Sequence, residues 1–146
     1  MQFLNLIPEH GPSLPLPTDL AQANLAFAAL AETPAAEALT AALAHDMGRA
    51  LLEGAFDGSP YLARAAEKTP QAFIDCLNIG PDAAFAQIIT TLENVASASS
   101  QLAAMATLRQ AKLGGALIIG LADLAGIWTL EQVTGGVSEL ARRSVD

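Results

Sequence analysis

The chain has 146 residues, of which 52% are hydrophobic, 15% charged and 5% aromatic, a length and balance that suit one folded domain and exclude a chain kept open by charge. Seven Lys and Arg against fifteen Asp and Glu leave a net charge of −8, which excludes the basic footprint that nucleic-acid phosphates require. Alanine, the strongest helix former and a poor strand former, supplies about a fifth of the residues, so the composition points to an all-α fold.

In chain order, residues 1–18 read as an extended arm, because the prolines between Pro8 and Pro17 cannot sustain a helix. Residues 19–146 read as one helical domain of about six or seven helices. The first spans Asp19 to Glu32, with Leu20, Ala23, Leu25, Phe27 and Leu30 at roughly helical spacing. Thr33-Pro34 is read as a cap and first-turn proline opening a second helix that runs to about Phe56, with Leu39, Leu43, Met47, Ala50 and Leu51 as its apolar face. Ser59-Pro60 and Thr69-Pro70 repeat the cap-plus-proline pattern and start two short helices, and Gly80-Pro81 breaks the chain again. A longer helix follows from Asp82 to about Ser97, and whether Ser97 to Ser100 interrupts it is left open by the propensities.

Gln101 to Leu124 is the longest periodic segment, and Gly114-Gly115 inside it signals a kink or a tight helix contact. The apolar run Leu113 to Ala122 is cut by Asp123 and falls short of a bilayer span, so it reads as a buried helix. Gly126 closes this helix, Thr129 and Gln132 have capping-box spacing, and Leu130, Val133, Val137 and Leu140 stripe the last helix. That stripe is unfinished where the sequence stops, which points to a homodimer through the last helix as one outcome.

No catalytic, cofactor-binding or metal-ligating residue is assigned. His45-Asp46 are sequence neighbours, so on a helix they point apart. Cys76, the single cysteine, sits beside Phe73 and Leu77 and reads as a core residue; with His10 and His45 it makes no metal-ligand spacing. Ser59 lacks the Gly-x-Ser-x-Gly elbow and reads as a cap. Tyr61 and Trp128 read as packing residues with one hydrogen bond each. Lys112-Leu113-Gly114-Gly115 resembles a phosphate cradle only superficially, since no strand precedes it. Arg142-Arg143 fits the negative end of a helix. The first residues lack a signal peptide's charged start and apolar run, and a cytoplasmic setting is expected.

Two stretches resemble the bacterial glutamine synthetase adenylyltransferase family. Gly58-Ser59-Pro60-Tyr61-Leu62-Ala63 with Thr69-Pro70 is similar to its "GSPFLA…HP" segment. Leu108-Arg109-Gln110-Ala111-Lys112 and Ala116 to Trp128, continued by Leu130-Glu131-Gln132-Val133-Thr134 and Val137 to Ala141, resemble "LRRxKR…ALLIALADLGGVW" and "LEEVTxxLSDLA". Order and spacing agree from about Gly58 to Ala141. The resemblance implies a cytoplasmic parent enzyme that uses ATP and Mg²⁺ to transfer AMP to a tyrosine of glutamine synthetase, removes it by phosphorolysis, and is directed by glutamine and the PII regulatory protein.

The family's metal site uses a Gly-Ser pair followed by paired aspartates, and no Asp-x-Asp occurs in this chain. Around Asp123, Ala122 and Ala125 stand where a serine and a second aspartate belong, and Gly114, Gly115 and Ile118 replace positions often charged in relatives. The expected identity is therefore an N-terminal helical region that precedes and lacks the nucleotidyltransferase core, inactive alone, packing beside the deadenylylating domain and helping to dock substrate. Asp123 is expected to cap a helix or join a buried ion pair. No cofactor is expected in this piece, nor nucleic acid or membrane as a partner. The alternative is a stand-alone helical protein–protein interaction module.

Overall fold

The computed structural model describes residues 20–95 and 100–145. The expected arm, residues 1–18, lies outside them, as do Ser97 and Ser99. The described residues form eight α-helices and no strand: α1 Ala21–Leu30, α2 Ala36–Leu43, α3 Asp46–Gly58, α4 Pro60–Lys68, α5 Pro70–Ile79, α6 Pro81–Glu93, α7 Gln101–Leu124 and α8 Leu130–Val145. The all-α expectation holds, and the count exceeds six or seven because one expected helix is two.

The helix expected from Pro34 to Phe56 breaks between Leu43 and Asp46. His45 is extended, and its Nδ1 accepts a hydrogen bond from the Met47 amide at 3.3 Å, capping α3 as Ser or Asn would. Arg49 Nε donates to the free Leu43 carbonyl at 3.2 Å, satisfying an orphan acceptor at the end of α2. Gly48 makes the sharp junction fit, since a Cβ there would collide with the Ala42 carbonyl oxygen. Thr33 does not cap α2 directly: its Oγ1 donates to Leu30 O at 2.7 Å and accepts from Ala35 N at 3.1 Å, tying a turn that precedes the helix.

The Pro starts at α4, α5 and α6 appear as expected. Ser59 Oγ accepts from Leu62 N at 3.2 Å. Thr69 instead turns backwards, its hydroxyl donating to Ala65 O at 2.6 Å, so it closes α4 and gives α5 no side-chain cap. Helix α6 stops at Glu93 and does not reach Ser97. Thr90 and Thr91 bond back to the carbonyls of Ala86 and Gln87, which weakens the helix near its end, and Ser100 Oγ caps a separate α7 through Ala103 N at 3.0 Å.

Helix α7 is the central element, packing on α3, α4, α5, α6 and α8. Its length of 24 residues and an 18-residue window of mean hydropathy 1.2 match a membrane span in length and composition, and its place accounts for that apolarity: Leu117, Ile118 and Leu121 are fully buried. The glycine pair is the expected tight contact in an unbroken helix. A Cβ on Gly114 would lie 3.0 Å from Ala72 Cβ, and one on Gly115 would lie 2.7 Å from Leu140 Cδ1. Across the core, Phe27, Phe56 and Phe73 join α1, α3 and α5 through ring centroids 5.9 and 6.0 Å apart, a contact worth about 1 kcal/mol per pair beyond area burial.

Candidate functional site

The helix ends consume most of the polar groups that the sequence offers for chemistry. His45 and Ser59 are caps, and the Thr129–Gln132 capping box forms reciprocally, with Thr129 N donating to Gln132 Oε1 at 2.8 Å and Gln132 N to Thr129 Oγ1 at 3.1 Å. Gly126 takes φ +72° and closes α7. Cys76 is fully buried. Burial, helped by the nearby charge of Asp75, pushes its thiol up to about 12, so the nucleophilic thiolate is suppressed. Among the described residues no three His, Cys, Asp or Glu side chains gather as a metal site would need.

Trp128 and Tyr61 part company. Trp128 Nε1 donates to Asp82 Oδ1 at 2.7 Å, and its ring meets Phe85 edge-on at 5.5 Å, which ties the α7–α8 turn to the start of α6. Tyr61 is 51% exposed, a surface residue where packing was expected. Asp123 is exposed and joins none of the ion pairs among the described residues, so the expected buried pair does not form; the helix it ends is closed by backbone bonds and Gly126. Arg142 and Arg143 both engage Glu139, and Arg143 reaches Glu93 at 2.9 Å, linking α8 to α6.

Among the described residues, neither Gly114-Gly115 nor Asp123 forms a site that fits ATP phosphates or Mg²⁺. Gly114 and Gly115 are buried in the middle of α7, where their amides belong to the helix ladder and cannot cradle a phosphate. Asp123 has no second carboxylate beside it on an Asp-x-Asp pattern.

Among the grooves that the described residues leave open, two hold about 500 Å³ each. One runs between α5, α6 and α7 and is lined by Gln71, Asp75, Gln87, Thr91 and Gln110; Gln71 and Asp75 already bond each other at 2.9 Å. The other lies between α4, α7 and α8, with Tyr61 at one wall and Arg109 and Lys112 on its rim. Tyr61, Lys112 and Val137 stand far apart in the sequence, and nothing local brings them together. The signal was present as equal spacing on two helices, but only their packing shows that the two faces meet.

Fold and surface together define a helical region with open grooves and no assembled nucleophile and base among the described residues. The sequence model of the glutamate-ammonia ligase adenylyltransferase family matches residues 49–146, about two thirds of the chain. The bifunctional glutamine synthetase adenylyltransferase/adenylyl-removing enzyme of Bradyrhizobium sp. strain BTAi1 is 35% identical over 115 residues, covering 78% of this chain and 12% of that protein. The protein of the same name from Rhodopseudomonas palustris strain TIE-1 is 37% identical over 95 residues, 64% of this chain and 10% of that one. That of Caulobacter vibrioides is 34% identical over 86 residues. No solved structure matches the chain. The chain belongs to the glutamate-ammonia ligase adenylyltransferase family, and it spans about a tenth of the length of the curated relatives it matches.

Proposed function

We propose that this chain is a non-catalytic helical docking region of an enzyme that attaches AMP to glutamine synthetase and removes it. Family membership over residues 49–146 carries the reading, and the relatives' names supply the reaction. The non-catalytic part is supported by chemistry: phosphoryl and nucleotidyl transfer need charge neutralisation at the transferring group, and the chain has no Asp-x-Asp to hold a cation for it. ATP, Mg²⁺, the PII partner and a cytoplasmic setting belong to the whole enzyme in this reading.

The test is to mix the chain with glutamine synthetase, ATP and Mg²⁺, and to read the mass of glutamine synthetase and the retention of the chain on it. Retention without an AMP mass shift is the expected result. A mass shift, or no retention at any concentration, overturns the reading.

A further inference from the structure

The groove between α4, α7 and α8 has the form of a receptacle for one more helix. On α7 its wall is Arg109, Lys112, Leu113 and Ala116; on α8 it is Val137, Leu140, Ala141 and Ser144. Both sets follow the spacing i, i+3, i+4, i+7, so each is one straight face of its helix. Two such faces side by side leave a trough into which the ridge of a third helix fits. Tyr61 and Val137 remain 51% and 52% exposed at its mouth, so apolar surface is still available for burial.

The charge of this groove runs against the rest of the chain. The chain carries a net charge of −8, yet the groove is lined by two cations and no carboxylate. Arg49, Arg142 and Arg143 are held in ion pairs with Glu53, Glu139 and Glu93, whereas Arg109 and Lys112, like Arg64 and Lys68 on α4, make none among the described residues. Their alkyl stems extend the apolar wall while the charged heads stay in water at the rim.

We infer that this groove docks an amphipathic helix of a partner protein, one whose apolar stripe is flanked by Asp and Glu. Two grooves of this chain set face to face would bring Arg109 and Lys112 against their own copies, and exposed Leu25, Leu102 and Met105 lie in helical stretches without any acid. Exposed Leu130, which stands beside Glu131, makes a second copy the rival occupant that the experiment must separate. The inference rests on the groove's own lining and charge and goes beyond the proposed function.

The probe is a fluorescein-labelled amphipathic peptide of about 15 residues, with a Leu stripe flanked by Glu, titrated against the full chain by anisotropy. A matched peptide with Lys in place of Glu is the control. The Glu peptide is expected to bind, more weakly as salt rises from about 50 to about 300 mM, and the double variant R109E/K112E is expected to lose about tenfold in affinity. Val137→Asp is expected to abolish binding. Far-UV circular dichroism checks that each variant remains helical; if Val137→Asp unfolds, Tyr61→Ala takes its place. Equal binding of Glu and Lys peptides, or unchanged affinity in R109E/K112E, overturns the inference. A dimer in sedimentation velocity that R109E/K112E or Val137→Asp dissociates also overturns it, because a second copy is then the occupant.

Discussion

Trp128 shows how one side chain sets the position of three helices. Its indole N–H is bonded to Asp82 at the first turn of α6, and its ring packs on Phe85, so the turn between α7 and α8 is pinned to α6. Trp128→Phe keeps most of the apolar area but removes a hydrogen bond to a charged acceptor, which is worth about 1.5–3 kcal/mol. An unfolding free energy lower by that amount, read as a lower urea midpoint at unchanged slope, is expected; an unchanged midpoint refutes the role. Cys76 makes a second residue-scale prediction through its thiol, which burial pushes up to about 12 from 9.0. Between those values the unfolded chain loses a proton that the folded chain retains, so stability falls as pH rises from about 9 to about 12. Denaturation of Cys76→Ala alongside the parent chain isolates this slope: the difference between the two curves should shrink across that window.

At the scale of the helix, Ser59-Pro60, Thr69-Pro70, Gly80-Pro81 and Gly126 mark boundaries where the sequence announced them with proline or glycine, whereas Thr33-Pro34 lies in the turn before α2, which starts only at Ala36. The α2–α3 break was missed because its cap is a histidine, and the spacing of Leu39, Leu43, Met47 and Leu51 is helical on both sides of it. Gly48 is the residue that could have signalled it. Gly48→Ala should destabilise the chain, since the added methyl meets the backbone of Ala42, which cannot rotate away. The glycines of α7 and α8 sharpen the point. Gly135→Ala meets nothing within 4 Å and should stabilise by about 0.5–1 kcal/mol through helix propensity. Gly114→Ala should instead cost about 1–3 kcal/mol, because Ala72 Cβ at 3.0 Å is fixed to its own backbone. Thermal denaturation of the two variants tests the pair, and the same sign of shift in both refutes the contact at Gly114.

In the whole molecule, the second half of α7 is buried where α3, α4, α5, α6 and α8 pack on the helix, while its first turns carry the exposed Leu102 and Met105. Ile118, fully buried in the middle of that half, should cost about 2–5 kcal/mol when cut to Ala, enough to unfold a marginal domain of this size. A loss below about 1 kcal/mol in equilibrium denaturation would show that the core lies elsewhere. The all-α class, most helix starts, the core role of Cys76 and the glycine contact were determined by the sequence itself, because propensity, caps and apolar period are local properties. The kinship with the adenylyltransferase family was legible too, in the motifs around Gly58 and from Leu108 to Ala141. The pairing of faces is not local. That Arg109 and Lys112 on α7 look across a groove at Val137 on α8 and Tyr61 on α4, and that Trp128 finds Asp82 across 46 positions, was decided only by tertiary packing, since helical period says which residues share a face but not which face meets which.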